Sequence, residues 1–217
     1  MATNHQPKHF VAVHGSCQGA WIYYKLKTLI EIAGHRFTSV DLAASGINEK
    51  KLNEVRTLHD YTLPLLDVLA SIPEGEKVIL LGHSGGGMSA ALGMEKFPEK
   101  ISVGVFLAAI MPDTTHGPSY FLEEDLTLAK TFVRPGSIYL EDLSTAPKFS
   151  KERYGSVKRV YIVCKDDLAI PEEFQRWMIE IVGATEVKEI KGADHMAMLS
   201  KPKELSHCLL EIAKKYD

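Results

Sequence analysis

The chain has 217 residues, 45% of them apolar, and a formal net charge of −3 at pH 7. That length and apolar share suit one well-filled core without a clear second boundary, so a single domain over residues 1–217 is expected. A small negative charge with no long run of like sign gives no footprint for nucleic acid or for an anionic membrane surface, and points to a small-molecule partner.

From the N-terminus, Met1 to Lys8 is polar and places His5 and His9 in a tail. No run along the chain approaches the length of a membrane span, so a soluble cytoplasmic protein is expected. The first β-rich run, Phe10 to Val13, leads into a His14-Gly15-Ser16 turn and a helix-period stretch from Ala20 to Ala33. A strand at Phe37 to Val40 and a helix over Val55 to Ile72 follow. Val78 to Leu81 reads as a strand, Gly87 to Phe97 as a helix closed by Pro98, and Val103 to Ala108 as the next strand. Strands at Val160 to Cys164 and Val187 to Ile190 alternate with helices at Pro171 to Val182 and Lys203 to Tyr216. Such alternation predicts an α/β fold with a mostly parallel central sheet flanked by helices, because parallel strands need long crossovers. Cys17, Cys164 and Cys208 are odd in number and widely spaced, which predicts buried free thiols rather than disulfides or a zinc site.

Within this frame, Gly82-His83-Ser84-Gly85-Gly86 is a G-x-S-x-G motif set between a strand and a helix. That context is the nucleophile elbow: a sharp turn with small neighbours that exposes a serine hydroxyl. A nucleophilic serine needs a histidine base, and the base needs a carboxylate to hold its tautomer. Of nine histidines, His195 follows the last strand through a short Lys-Gly-Ala-Asp loop, which is where such a base belongs. His83 is expected to pack or hydrogen-bond below the turn. Either Asp166 or Asp167, directly after Val160 to Cys164, can supply the acid, whereas Asp194 reads as a loop hydrogen-bonding residue. Two N–H groups should face the developing oxyanion, from Gly85 and from Ser16 in the early turn. Acyl transfer through a serine acyl-enzyme needs neither metal nor cofactor.

The stretches V-H-G-S-C-x-G-A-W at Val13 to Trp21, D-L-A-A-S-G at Asp41 to Gly46 and G-A-D-H-M-A-M at Gly192 to Met198 carry a further signal. Together they resemble the plant methylesterase and hydroxynitrile lyase group of α/β-hydrolases, over nearly the whole chain. The resemblance implies an α/β-hydrolase fold, a Ser84–His195–Asp167 triad, oxyanion donors at Ser16 and Gly85, and a substrate site at His14, Gly15 and Met196. In the lyases of this group a threonine stands at position 15 and a lysine at position 196. Glycine and methionine here therefore imply an esterase for methyl esters of small metabolites, of phytohormone or alkaloid type. A released acid bearing a β-carbonyl would then lose carbon dioxide unaided.

Two departures from the group stand out. Residues 112–156 hold only a remnant of the helical cap, with Phe121-Leu122-Glu123 running almost directly into Glu124-Asp125-Leu126. Gly85 replaces a bulky apolar residue. Both changes imply a wider pocket that admits a larger substrate, and a homodimer would cover apolar surface that the short cap exposes. The alternative reading is a ligand-binding protein on the same fold, whose trimmed cap serves recognition.

Overall fold

The structure, a computed structural model, describes residues 6–121 and 139–216. Six strands form one sheet: β1 (His9–Val13), β2 (Arg36–Val40), β3 (Val78–His83), β4 (Ile101–Leu107), β5 (Arg159–Cys164) and β6 (Glu186–Ile190). Their order is β2-β1-β3-β4-β5-β6, and every pairing is parallel. Helices α1 (Tyr24–Ile32), α2 (Leu58–Ser71), α3 (Gly86–Lys96), α4 (Leu140–Thr145), α5 (Glu172–Val182), α6 (Ala197–Ser200) and α7 (Pro202–Lys215) complete the described part.

The period of two in the strands divides the core into two layers. Along β1, Phe10 and Ala12 join a cluster with Leu26 and Ile30 of α1 and Leu205 and Leu209 of α7. Val11 and Val13 join the opposite cluster with Leu65 and Leu69 of α2, Met94 of α3 and Met178 of α5. Each fully buried Leu, Val or Phe contributes about 1.5–3 kcal/mol by leaving water. Central β3 is buried at all six positions, while edge strand β6 alternates and leaves Val187 exposed. A strand covered on both faces reads as a continuous apolar run, and an edge strand does not.

The direction in which successive strands are added reverses between β1 and β3: β2 lies on one side of β1 and all later strands on the other. Such a switch point opens a crevice beyond the carboxyl ends of the strands. Val13 is in register with Gly82, so Gly15 and Ser84, two residues further along each strand, leave the sheet side by side.

Three expectations are corrected. His9 is the first residue of β1, not part of a tail, and its Nε2 pairs with Thr38 Oγ1 at 2.8 Å. Cys17 is exposed because it sits on the turn after β1 with φ of 60°. The helix expected from Ala20 is divided into a 3₁₀ turn, Ala20–Tyr23, and α1.

Of residues 112–156, the described flanks pack into the domain core. Phe121, Tyr139, Leu143, Phe149 and Tyr154 are buried in the α2–α3 layer. Tyr154 Oη donates to Pro112 O at 2.5 Å, and Glu95 Oε2 accepts from the N–H groups of Ser150 and Tyr154 at 3.0 and 3.2 Å. The junction expected at 121–126 lies outside the described residues beyond Phe121. Among the described residues no helix is long and apolar enough to cross a membrane.

Candidate active site

Ser84 sits on the turn between β3 and α3 with φ of 53°, in the left-handed region. A non-glycine residue held there stores about 1–3 kcal/mol, so surrounding bonds must impose the turn. They do so on both sides: Ser84 N–H donates to Leu107 O at 3.3 Å, and Ser84 O accepts from Gly87 and Ile110 N–H, both at 3.1 Å. A Cβ on Gly86 would stand 2.3 Å from His14 O, so only glycine lets the β1 turn approach α3 this closely.

His195 lies on the loop between β6 and α6, with Nε2 3.0 Å from Ser84 Oγ. Its Nδ1 is 2.7 Å from Asp167 Oδ2. The other Asp167 oxygen accepts from Ala169 and Ile170 N–H at 2.7 and 2.9 Å, and the side chain is fully buried. With Nδ1 carrying the proton toward Asp167, Nε2 is left free to accept from the serine hydroxyl. Asp166 is exposed and contributes only its backbone N–H, to Ala193 O at 2.9 Å. Asp194 Oδ1 accepts from Met196 N–H and Ser200 Oγ at 2.9 and 2.7 Å, which pins the loop rather than the imidazole.

Beneath the elbow, His83 is completely buried, its ring centroid 4.7 Å from that of His195. Burial, reinforced by the neighbouring His195, pushes its pKa down to about 3. His83 is therefore neutral and donates from Nε2 to the carbonyl of His195 at 2.7 Å. The base is thus held from two directions, by Asp167 on its ring and by His83 on its backbone.

On the β1 side, the His14 side chain, expected at the substrate site, bridges two loops. It is fully buried, Nδ1 donates to Gly15 O at 2.8 Å, and Nε2 accepts from Leu42 N–H at 3.1 Å. Desolvation lowers its pKa, which favours this neutral bridging form. Asp41 braces the same loops by accepting from Ala20 N–H at 2.7 Å. A Cβ on Gly15 would stand 2.7 Å from Ser84 Cβ, so position 15 touches the nucleophile.

Sequence reasoning missed Gln18. Its Oε1 accepts from Gly15 N–H and its Nε2 donates to Met196 Sδ, both at 3.1 Å, tying the turn after β1 to the histidine loop. Gln18 and Met196 are 178 residues apart, so no local pattern carried the signal. Among the described residues, the N–H groups of Ser16 and Gly85 have no protein acceptor, leaving both available to a ligand oxygen. Nor is there, among those residues, a group of three or more His, Cys, Asp or Glu placed to hold a metal. Of the other histidines, His116 pairs with Asp113 and stacks on Tyr120, while His207 faces Glu211 at the surface.

Residues 10–207 match the alpha/beta hydrolase family. The chain is 50% identical over 254 residues to polyneuridine aldehyde esterase of Rauvolfia serpentina, covering 96% of each chain. It is 50% identical to salicylic acid-binding protein 2 of Nicotiana tabacum, over 97% of this chain and 98% of that one. Methylesterase 1 of Arabidopsis thaliana is 45% identical over the full length of both. The crystal structure of polyneuridine aldehyde esterase superposes with a TM-score of 0.90, over 96% of this chain and all of that one.

Proposed function

Because the chain belongs to the alpha/beta hydrolase family, we propose that it is a serine carboxylesterase that hydrolyses methyl esters of small plant metabolites. The observation that carries this reading is the unbroken chain Ser84 Oγ, His195, Asp167 at 3.0 and 2.7 Å. In this mechanism His195 Nε2 takes the proton as Ser84 Oγ attacks the ester carbonyl. Asp167 stabilises the imidazolium that results, and His195 returns the proton to the departing methanol. Water then repeats the attack on the acyl-enzyme through the same base. The carbonyl oxygen, as it becomes anionic, is met by the N–H groups of Ser16 and Gly85.

Gly15 and Met196 line the site and separate this reading from the lyases. A threonine at 15 would bring its Cβ to 2.7 Å from Ser84 Cβ, a separation that real side chains do not tolerate. Met196 carries no positive charge to hold cyanide.

Substrate size follows from the short 112–156 segment. Alignments with the relatives run over 254 residues and more, beyond the 217 this chain possesses, so the relatives carry positions that it lacks. We assign the shortfall to the cap within the single domain and expect the acyl pocket to accept bulky, alkaloid-sized esters. The free thiols, with Cys17 exposed, fit a reducing, cytoplasmic setting. Dimerisation over the shortened cap is tested by light scattering at two concentrations.

The experiment is methanol release from methyl salicylate, methyl jasmonate and a bulky alkaloid methyl ester, with Ser84→Ala alongside. Serine-dependent release, fastest for the bulky ester, is expected. Release that persists in Ser84→Ala, or none from any ester, would contradict the reading.

A further inference from the structure

Among G-x-S-x-G turns, this one has no side chain on the residue after the nucleophile, and its space is not empty. An ideal Cβ built on Gly85 would lie 2.6 Å from Ser16 Oγ, 3.7 Å from Ser16 N and 3.8 Å from Ser16 Cβ. The hydroxyl of Ser16 thus occupies the position from which a side chain at 85 would start. A Cβ lies two bonds, about 2.5 Å, from its own backbone nitrogen. The Gly85 N–H, the Ser16 N–H and the Ser16 hydroxyl therefore border one volume only a few ångströms across. Ser16 is half-buried, and among the described residues its hydroxyl has no hydrogen-bond partner.

We propose that the Ser16 side chain is a third hydrogen-bond donor to the substrate carbonyl oxygen, and that glycine at position 85 is what admits it. The proposal rests on the esterase reading and adds a catalytic group to it. No proton leaves Ser16: the hydroxyl donates a hydrogen bond while the carbonyl oxygen gains negative charge, then relaxes when the tetrahedral intermediate collapses. A hydroxyl facing an anionic oxygen forms a shorter, stronger bond than one facing a neutral carbonyl. Its contribution is therefore greatest in the transition state, and it acts on kcat more than on KM. Gly85 then has a role apart from pocket width, since even one added carbon displaces the hydroxyl.

A double-mutant cycle on Ser16→Ala and Gly85→Ala tests this, with kcat and KM measured on a p-nitrophenyl ester and affinity measured for a trifluoromethyl ketone analogue. Losing a side-chain donor from an oxyanion hole costs about 10²–10³ in kcat, and with two backbone donors remaining a loss of roughly 10- to 100-fold is expected for Ser16→Ala. KM should stay within about twofold, and the analogue should weaken in parallel with kcat. Gly85→Ala should lose a similar factor. The double variant should be no worse than either single one, because the Ser16 Cβ that remains is 3.8 Å from the new methyl. Ser16→Thr, which keeps the hydroxyl, should retain most of kcat.

Thermal unfolding of the wild type and all four variants separates a folding loss from a catalytic one. Near-normal kcat in Ser16→Ala, or single losses that multiply in the double variant, would overturn the third donor while leaving the esterase intact. A wild-type protein that turns over no ester would overturn the esterase reading, and the donor with it, before any variant is made.

Discussion

Ser84, His195 and Asp167 come from three separate loops, yet each follows a strand of one parallel sheet, which is why their order was legible in sequence. The elbow glycines and the position of His195 after β6 were local patterns. The choice between Asp166 and Asp167 was not local: one side chain is buried at the imidazole and the other exposed, and only the resemblance separated them. Gln18 and the bridging role of His14 were invisible because each has one partner on a distant loop, Met196 and Leu42 respectively. Replacing Asp167 with Asn should leave the fold but disturb the tautomer of His195, lowering kcat by about 10³–10⁴; steady-state kinetics showing less than a tenfold loss would refute that role. Gly15→Ala should be costly as well. Its Cβ would meet Ser84 Cβ at 2.7 Å and His83 Nδ1 at 3.1 Å, and both residues are buried. Overpacking of this kind costs about 1–3 kcal/mol, and kcat should fall at least tenfold, since the displaced atom belongs to the nucleophile. Unchanged turnover in Gly15→Ala would mean that the turn is looser than its contacts indicate.

At the scale of elements, the six expected strands all form, and their errors are confined to one or two residues at the ends. The helix expected from Val55 starts later, as α2, because Thr57 is its N-cap, with Oγ1 accepting from Asp60 N–H at 3.0 Å. The first N–H of α2 needs another acceptor, and it comes from outside the local sequence: Leu58 N–H donates to Asp142 Oδ2 at 2.9 Å. The segment returning from 139 thus caps a helix more than eighty residues earlier, a contact that no helix-start pattern reveals. Removing such an acceptor costs about 1 kcal/mol. In a chain of this size that shifts Tm by roughly 2–4 °C, and differential scanning calorimetry of Asp142→Ala should find a decrease of that order. No decrease would mean that α4 is not anchored to α2 through this bond.

For the whole molecule, the buried histidines couple folding to pH. His83 has a pKa of about 3 in the folded state against an ordinary 6.5, and desolvation lowers that of His14 as well. The unfolded chain binds those protons below about pH 6.5 while the folded one resists them. The stability due to His83 is therefore present above that pH and is lost as pH falls toward 3, with a slope of about 1.4 kcal/mol per pH unit, and His14 acts in the same direction. Urea unfolding midpoints between pH 7 and 4 should decline, and decline less steeply in His83→Gln; equal slopes would show that His83 is not the group being titrated. The parallel sheet and its two helical layers follow from strand and helix alternation, whereas the strand order and the packing of the shortened 112–156 flanks onto α2 and α3 required the fold itself. Ester hydrolysis by this chain depends on Ser84 being an activated nucleophile. The most direct test is mass spectrometry after treatment with a fluorophosphonate: one adduct per chain is expected, on the peptide containing Ser84, absent from Ser84→Ala and much slowed in Asp167→Asn. An unlabelled protein, or a label that persists in Ser84→Ala, would contradict that role.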